Sequence, residues 1–181
     1  INDATYTQIL VNGLTKSYDI GNPELPVFSK LIEEPTSGGI SVDVVNFNEH
    51  IKDLAALGFS QEILPSQESV FKNQDPTKVP FVYNESVYLK NEFYTQNRIT
   101  IERLGVMRGK SIARLQIAPL AYNPLTNELK VLEDLEFIVT FESKIKALPE
   151  ELKSQDFSIN FSKLLNNNST DKHEFTSHTT R

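Results

Sequence analysis

Among side chains able to do acid–base, nucleophilic or metal chemistry, this 181-residue chain has three histidines, 24 Asp and Glu, and no cysteine. The missing thiol removes cysteine nucleophiles, thiolate zinc sites and iron–sulfur clusters together, since each needs sulfur as attacker or ligand. His50 lies in the body of the sequence, but no GxSxG nucleophile elbow accompanies it, so a surface histidine on a strand accounts for it better than a Ser-His-Asp arrangement. His173, Glu174 and His178 offer metal-binding atoms, yet their spacing does not put both histidines on one helical face, and they sit in a polar tail. The pairs Glu33-Glu34 and Glu150-Glu151 are adjacent, which aims the carboxylates apart instead of across a cleft as glycoside hydrolysis requires. No Gly-rich phosphate loop is present. The residues therefore point away from an enzyme, and no cofactor or metal is expected.

Charge narrows the partners. Lys and Arg number 18, giving a net charge of −6, so a polyanion is repelled on average and nucleic acid is not an expected partner. Arg103, Arg108, Lys110 and Arg114 gather around one expected hairpin with Glu102 beside them and no interleaved aromatics, the pattern of a solvated sheet face. No apolar stretch approaches the ~20 residues that span a bilayer, and no membrane span is expected. The chain begins at Ile1 without a basic-then-apolar leader, which fits an N-terminus left by signal-peptide removal and export from the cell.

These residues must be placed by strands, because apolar side chains recur with period two. Strands are expected over 5–14, 27–33, 40–51 and 61–64, and a three-stranded meander over 98–141 has Leu135, Phe137, Val139 and Phe141 pointing inward. The intervening Gly21-Asn22-Pro23-Glu24-Leu25-Pro26 and Tyr122-Asn123-Pro124 cannot continue a ladder, since Pro lacks the donor and Gly relaxes the backbone. Over 66–83 the periodicity stops and Gln, Ser, Asn, Asp and Pro dominate. A loop longer than ~12–15 residues is uncommon in a compact domain and tends to be functional or disordered. Asn84 can cap a short helical turn over 85–91. The expected fold is all-β, an antiparallel β-sandwich, jelly-roll-like or a partly open barrel, over 1–150. A short helix over 151–166 is expected to pack on it, with Phe157, Phe161, Leu164 and Leu165 at helical spacing, and 167–181 is expected to be a mobile linker with little to bury.

Four fragments carry a resemblance: Gly21-Asn22-Pro23-Glu24-Leu25-Pro26; Asp75-Pro76-Thr77-Lys78-Val79-Pro80-Phe81-Val82-Tyr83-Asn84; Leu104-Gly105-Val106-Met107-Arg108-Gly109; and Tyr122-Asn123-Pro124 with Asn127-Glu128-Leu129-Lys130-Val131. In that order they resemble the N-terminal prodomains of gingipains, cysteine endopeptidases secreted by oral Bacteroidetes. The resemblance implies a β-sandwich prodomain that keeps the catalytic domain of its own precursor latent and assists its folding, exported to the periplasm or cell surface of a Gram-negative bacterium. The absent cysteine then follows, because the nucleophile belongs to the catalytic domain.

The resemblance also implies a blocking loop with a basic residue for the specificity pocket. Aligning on Asp75-Pro76 puts that residue at Lys72, within Phe71, Lys72, Asn73, Gln74, Asp75 and Pro76. Arginine-specific members carry Arg there, so Lys72 points to a lysine-preferring enzyme. Arg181, at the end of a polar tail, points instead to a cut behind Arg, and the two agree if a separate arginine-specific peptidase does the processing. A competing reading is an adhesin-like β-sandwich that binds glycan or protein through Phe81, Tyr83, Tyr88, Phe93 and Tyr94, aromatics that could equally pack the loop onto the sandwich.

Overall fold

The structure is a computed structural model that describes residues 5–35, 38–75, 78–107, 110–142 and 174–176. Side chains of a pleated strand alternate between faces, and this alternation sets the elements. In β7 (Glu128–Phe141), Leu135, Phe137 and Val139 are buried while Glu136, Ile138 and Thr140 are exposed. β1 (Thr15–Lys16), β2 (Pro26–Glu34), β5 (Lys110–Ile117) and β4 (Ile99–Met107) form one sheet in the order β1-β2-β5-β4. β3 (Ile40–Asp53), β7 and β6 (Leu120–Asn123) form a second in that order, with β8 (Glu174–Thr176) paired to β7. The one helix among the described residues is α1 (Glu85–Tyr88), so the class is all-β in two antiparallel sheets, as the alternation predicts.

Several expectations change in detail, and the strand expected over 61–64 reduces to one isolated bridge at Ile63. Residues 5–14 are not a regular strand: Thr7 makes a single parallel bridge to Ile63, and Leu10 and Val11 are exposed. The run Ile9-Leu10-Val11 does not alternate, which is why it cannot serve one buried face. The expected meander is two hairpins in different sheets, β4–β5 and β6–β7, because Pro119 lacks the donor needed to carry β5 onward into β6. Of the turn or bulge that Gly105 suggests, the bulge is found: β4 runs to Met107 through a register slip between Arg103 and Gly105, where Gly105 adopts φ +120°. The helix expected over 151–166 lies outside the described residues. Within 167–181, Glu174–Thr176 forms β8 against Glu136–Ile138.

The chain forms two compact units, and β2, β3 and β7 each supply residues to both. The first unit comprises Ile1–Phe28, Glu49–Gln96 and Ala118–Val131. Its core is Leu25, Leu54, Ile63, Leu120, Tyr122 and Leu129, with Ile9, Tyr94 and Val131 packed against it.

The second unit comprises Ser29–Asn48, Asn97–Ile117 and Leu132–Arg181. Ile32, Ile112, Ala113, Leu115, Ile117, Leu135, Phe137 and Val139 are buried in it. So are Glu33 and Glu34, which is costly unless each carboxylate is paired. Glu34 accepts from Arg103 Nε at 2.9 Å and from Ser111 Oγ at 3.2 Å, Glu33 is bonded to Lys110, and Glu102 pairs with Arg114 at 3.2 Å. The basic hairpin is thus answered by acids of the same unit, and the adjacent Glu33 and Glu34 do reach different cations. Arg108 lies outside the described residues.

Candidate inhibitory loop

The loop leaves the first unit at Ser66 and returns at Asn84, and both roots rest on Gly21 and Asn22. Gly21 N–H donates to Ser66 O and Ser66 N–H to Asn22 O, each at 2.8 Å, and the Ser66 hydroxyl donates to Ser17 O at 2.7 Å. On the returning side, Asn84 N–H donates to Gly21 O at 2.9 Å and Asn84 Nδ2 to Asn22 Oδ1 at 2.8 Å. Asn84 also caps α1 by accepting from Ser86 N–H, as its position predicts. Gly21 has φ +83°, and a Cβ there would meet Val82 Cγ1 at 3.0 Å, so glycine is required by both backbone and neighbour. Two fragments of the resemblance, Gly21-Asn22-Pro23 and the segment ending in Asn84, therefore meet at one seat.

Gln67 closes the loop above that seat. Its Nε2 donates to Val82 O at 2.7 Å and its Oε1 accepts Val82 N–H at 2.9 Å, while Nε2 also lies 3.1 Å from the carbonyls of Pro65 and Ser66. Farther out, Gln74 N–H donates to Phe71 O at 2.9 Å, which sets Lys72 and Asn73 at the two central positions of a tight turn. Phe71 is 74% exposed, and Lys72, Asn73, Gln74 and Asp75 are exposed beside it. Lys78 N–H donates to Asp75 O at 3.1 Å, and its ammonium stands 3.8 Å from the Asp75 carboxylate. Pro76 and Arg181 lie outside the described residues.

The aromatics at the returning root support the loop instead of forming an open platform. Tyr88 is buried and donates to Ile63 O at 2.7 Å, Tyr83 stacks on it at 4.3 Å and donates to Glu62 at 3.2 Å, and Phe81 stacks on Tyr6 at 5.7 Å. Burial, reinforced by the nearby Glu62 charge, holds the Tyr83 hydroxyl well above the ordinary phenol range, and burial does the same to Tyr88. Burial likewise pushes Tyr122 up to about 12. Tyr94 donates to Asp19 at 2.6 Å, and the Phe93 ring lies under the Lys130 ammonium.

The chemistry-bearing residues considered from the sequence do not converge. His50 stands exposed on β3, and no cluster of His, Asp and Glu able to hold a metal occurs among the described residues. His173, His178, Glu150 and Glu151 lie outside them. Nothing in the sequence marks the anchors Gly21, Asn22 and Gln67 as loop supports. Gly21-Asn22-Pro23 carried a turn signal that says nothing of what rests on it, and a lone Gln carries none.

The family described as Propeptide_C25 matches residues 4–175, and the chain belongs to that family of propeptides. Lys-gingipain of Porphyromonas gingivalis is 36% identical over 154 residues, 85% of this chain and 9% of that protein. Gingipain R1 of the same organism is 29% identical over 124 residues, 68% of this chain and 12% of that protein, so the likeness is stronger to the lysine-named relative. The chain thus spans about 9% of the length of the Lys-gingipains it matches.

Two solved structures share the fold. One concerns zymogenic latency of gingipain K from Porphyromonas gingivalis, with TM-score 0.67 and 39% identity over 73% of this chain and 72% of that one. The other is a complex of Porphyromonas gingivalis RgpB pro- and mature domains, with TM-score 0.65 and 20% identity over 86% of this chain and 77% of that one.

Proposed function

We propose that this chain is the prodomain of a gingipain-like cysteine endopeptidase and keeps it latent by presenting Lys72 to the specificity pocket. The observation that carries the reading is Lys72 at an exposed turn whose roots are pinned on Gly21 and Asn22. A pocket that selects a basic side chain must be anionic, and a Lys ammonium entering it gains a charge-assisted contact in a partly dry site. Phe71 and Asn73 flank it, and Gln74, Asp75 and Pro76 continue the contact strip. The likeness to gingipain K, itself studied for zymogenic latency, supports the partner: the catalytic domain of the chain's own precursor.

The prodomain also assists folding of that domain and is secreted with it, to the periplasm or cell surface of a Gram-negative bacterium. It is itself no catalyst. Release would follow cleavage after Arg181 by a separate arginine-specific peptidase, since a lysine-preferring enzyme does not itself cut behind Arg. Inhibition constants of the parent, Lys72→Ala and Lys72→Arg against a lysine-specific gingipain test the reading. Lys72→Ala should weaken inhibition by ~2 kcal/mol or more, the scale of a buried interface anchor. Lys72→Arg should bind a lysine-preferring enzyme worse and an arginine-preferring one better, because the planar fork of Arg demands different acceptors. Equal inhibition by Lys72→Ala and the parent would remove Lys72 from the interface.

A further inference from the structure

We propose that Gln67 is a positioning residue that makes the Lys72 loop an inhibitor instead of a substrate. The inference rests on the reading of Lys72 given above. A protease takes its substrate in extended form, with backbone N–H and C=O groups free to pair with an edge of the enzyme. Attack further requires the scissile carbonyl to stand in line with the nucleophile at near-contact distance. Cleavage behind Lys72 would add water across the Lys72–Asn73 peptide bond, leaving a carboxylate on Lys72 and a new amino group on Asn73.

The tip has the wrong shape for this. Gln74 N–H bonds back to Phe71 O, and neither Lys72 nor Asn73 has positive φ, the pattern of a type I turn. Such a turn keeps the Lys72 backbone in the helical region while its side chain projects, so the ammonium can be offered with the following peptide bond folded away from an extended path. The single bond from Gln74 N–H to Phe71 O is weak support for the turn, since one hydrogen bond nets only ~0.5–1.5 kcal/mol. The turn persists only if its two limbs are held together.

Gln67 does this by imitating a strand partner. Its side-chain amide offers Val82 one donor and one acceptor, the pair that a neighbouring β-strand residue would offer, at 2.7 and 2.9 Å. The bonds of Ser66 and Asn84 to Gly21 and Asn22 fix the roots on the body, whereas the Gln67 clamp ties one limb directly to the other. Gln67 is only half-buried, so its loss leaves the core of the first unit intact. Without the clamp the limbs can part, the turn can open, and the Lys72–Asn73 bond can reach the extended form that a protease accepts.

The test adds the full chain to a lysine-specific gingipain and follows residual activity and fragment masses with time, for the parent, Gln67→Ala, Gln67→Glu and Lys72→Ala. The parent should inhibit and remain uncut at Lys72–Asn73. Gln67→Ala should inhibit at first mixing nearly as well as the parent and then lose inhibition as that bond is cut, on the order of tenfold faster, the scale of two lost hydrogen bonds. Gln67→Glu, which keeps an acceptor for Val82 N–H but sets a carboxylate oxygen against the carbonyls of Val82, Pro65 and Ser66, should be cut at least as fast as Gln67→Ala. A merely structural role would lower initial inhibition and thermal stability without directing cleavage to Lys72–Asn73. If Gln67→Ala and Gln67→Glu both stay uncut as long as the parent, or are cut elsewhere first, the clamp proposal fails while a weakened Lys72→Ala would leave the pocket reading standing. Unimpaired inhibition by Lys72→Ala would instead overturn the pocket reading itself.

Discussion

Arg103 Nε donates to Glu34 Oε2 at 2.9 Å while its Nη2 donates to Gly38 O at 2.7 Å, so one guanidinium answers a buried carboxylate and a loop carbonyl at once. The Glu34 side chain is 2% exposed and that of Arg103 is 56%, which places the cost of breaking the pair on the acid. Arg103→Ala should destabilise the fold by ~2 kcal/mol, less than the ~3–5 of a fully buried pair because water can reach the vacated side. Arg103→Lys should recover only part of this, since an ammonium cannot serve both acceptors in the same fork. Urea unfolding of both variants measures it, and an Arg103→Ala midpoint equal to the parent's would show that Ser111 suffices for Glu34.

Gly21→Ala should cost ~1–2 kcal/mol, the penalty of a Cβ in the left-handed region at φ +83°. Its methyl also presses on Val82 Cγ1, so the variant should gain proteolytic sensitivity between Gln67 and Val82 before the sheets unfold. Limited proteolysis with mass analysis of first fragments checks this. A first cut within β4 or β5 would place the weak point elsewhere.

Tyr88→Phe removes the donor to Ile63 O at 2.7 Å without changing the ring that stacks on Tyr83. A buried carbonyl left without its partner costs ~1–3 kcal/mol, and thermal or urea unfolding should show a loss of that size. No measurable loss would mean that another donor reaches Ile63 O.

The tyrosines also set an alkaline limit. Burial raises the folded-state pKa of Tyr83, Tyr88, Tyr94 and Tyr122 above the ordinary 10.0, to about 12 for Tyr122. Above pH ~10 the unfolded chain loses these protons while the folded chain keeps them, so the unfolded state binds fewer protons and stability falls as pH rises. Their full contribution is present below pH ~10 and is lost progressively toward and beyond about 12. Tyrosinate absorbance from these residues should appear together with loss of the β-sheet circular dichroism signal. Ionisation of all tyrosines with the dichroism unchanged would contradict the burial.

Local patterns made much of this legible. Leu135, Phe137 and Val139 alternate because one face of β7 is buried, and Asn84 announces a helix start because its side chain can take an orphan N–H. The polar run after Ser66 announces a loop, since it has no apolar face to pin it to a sheet. What stayed hidden depends on contacts between distant residues. Nothing local to Gly21 says that Ser66 and Asn84 rest on it, and nothing local to Gln67 says that it faces Val82. Residues 5–14 misled for the same reason: their composition suits a strand, but only Thr7 finds a backbone partner in that role.

The seat at Gly21 and Asn22 joins groups far apart along the chain, with Asn84 reaching Asn22 across a separation of 62 residues. Contacts of that range form late, because the intervening chain must surrender its freedom before any bond at the seat exists. A chain that has made only its local hairpins therefore has no roots for the loop, even where the local turn bond from Gln74 N–H to Phe71 O can form. The two ends of the loop take the separation seen here only in a chain whose residues 21–22, 66 and 84 have already come together.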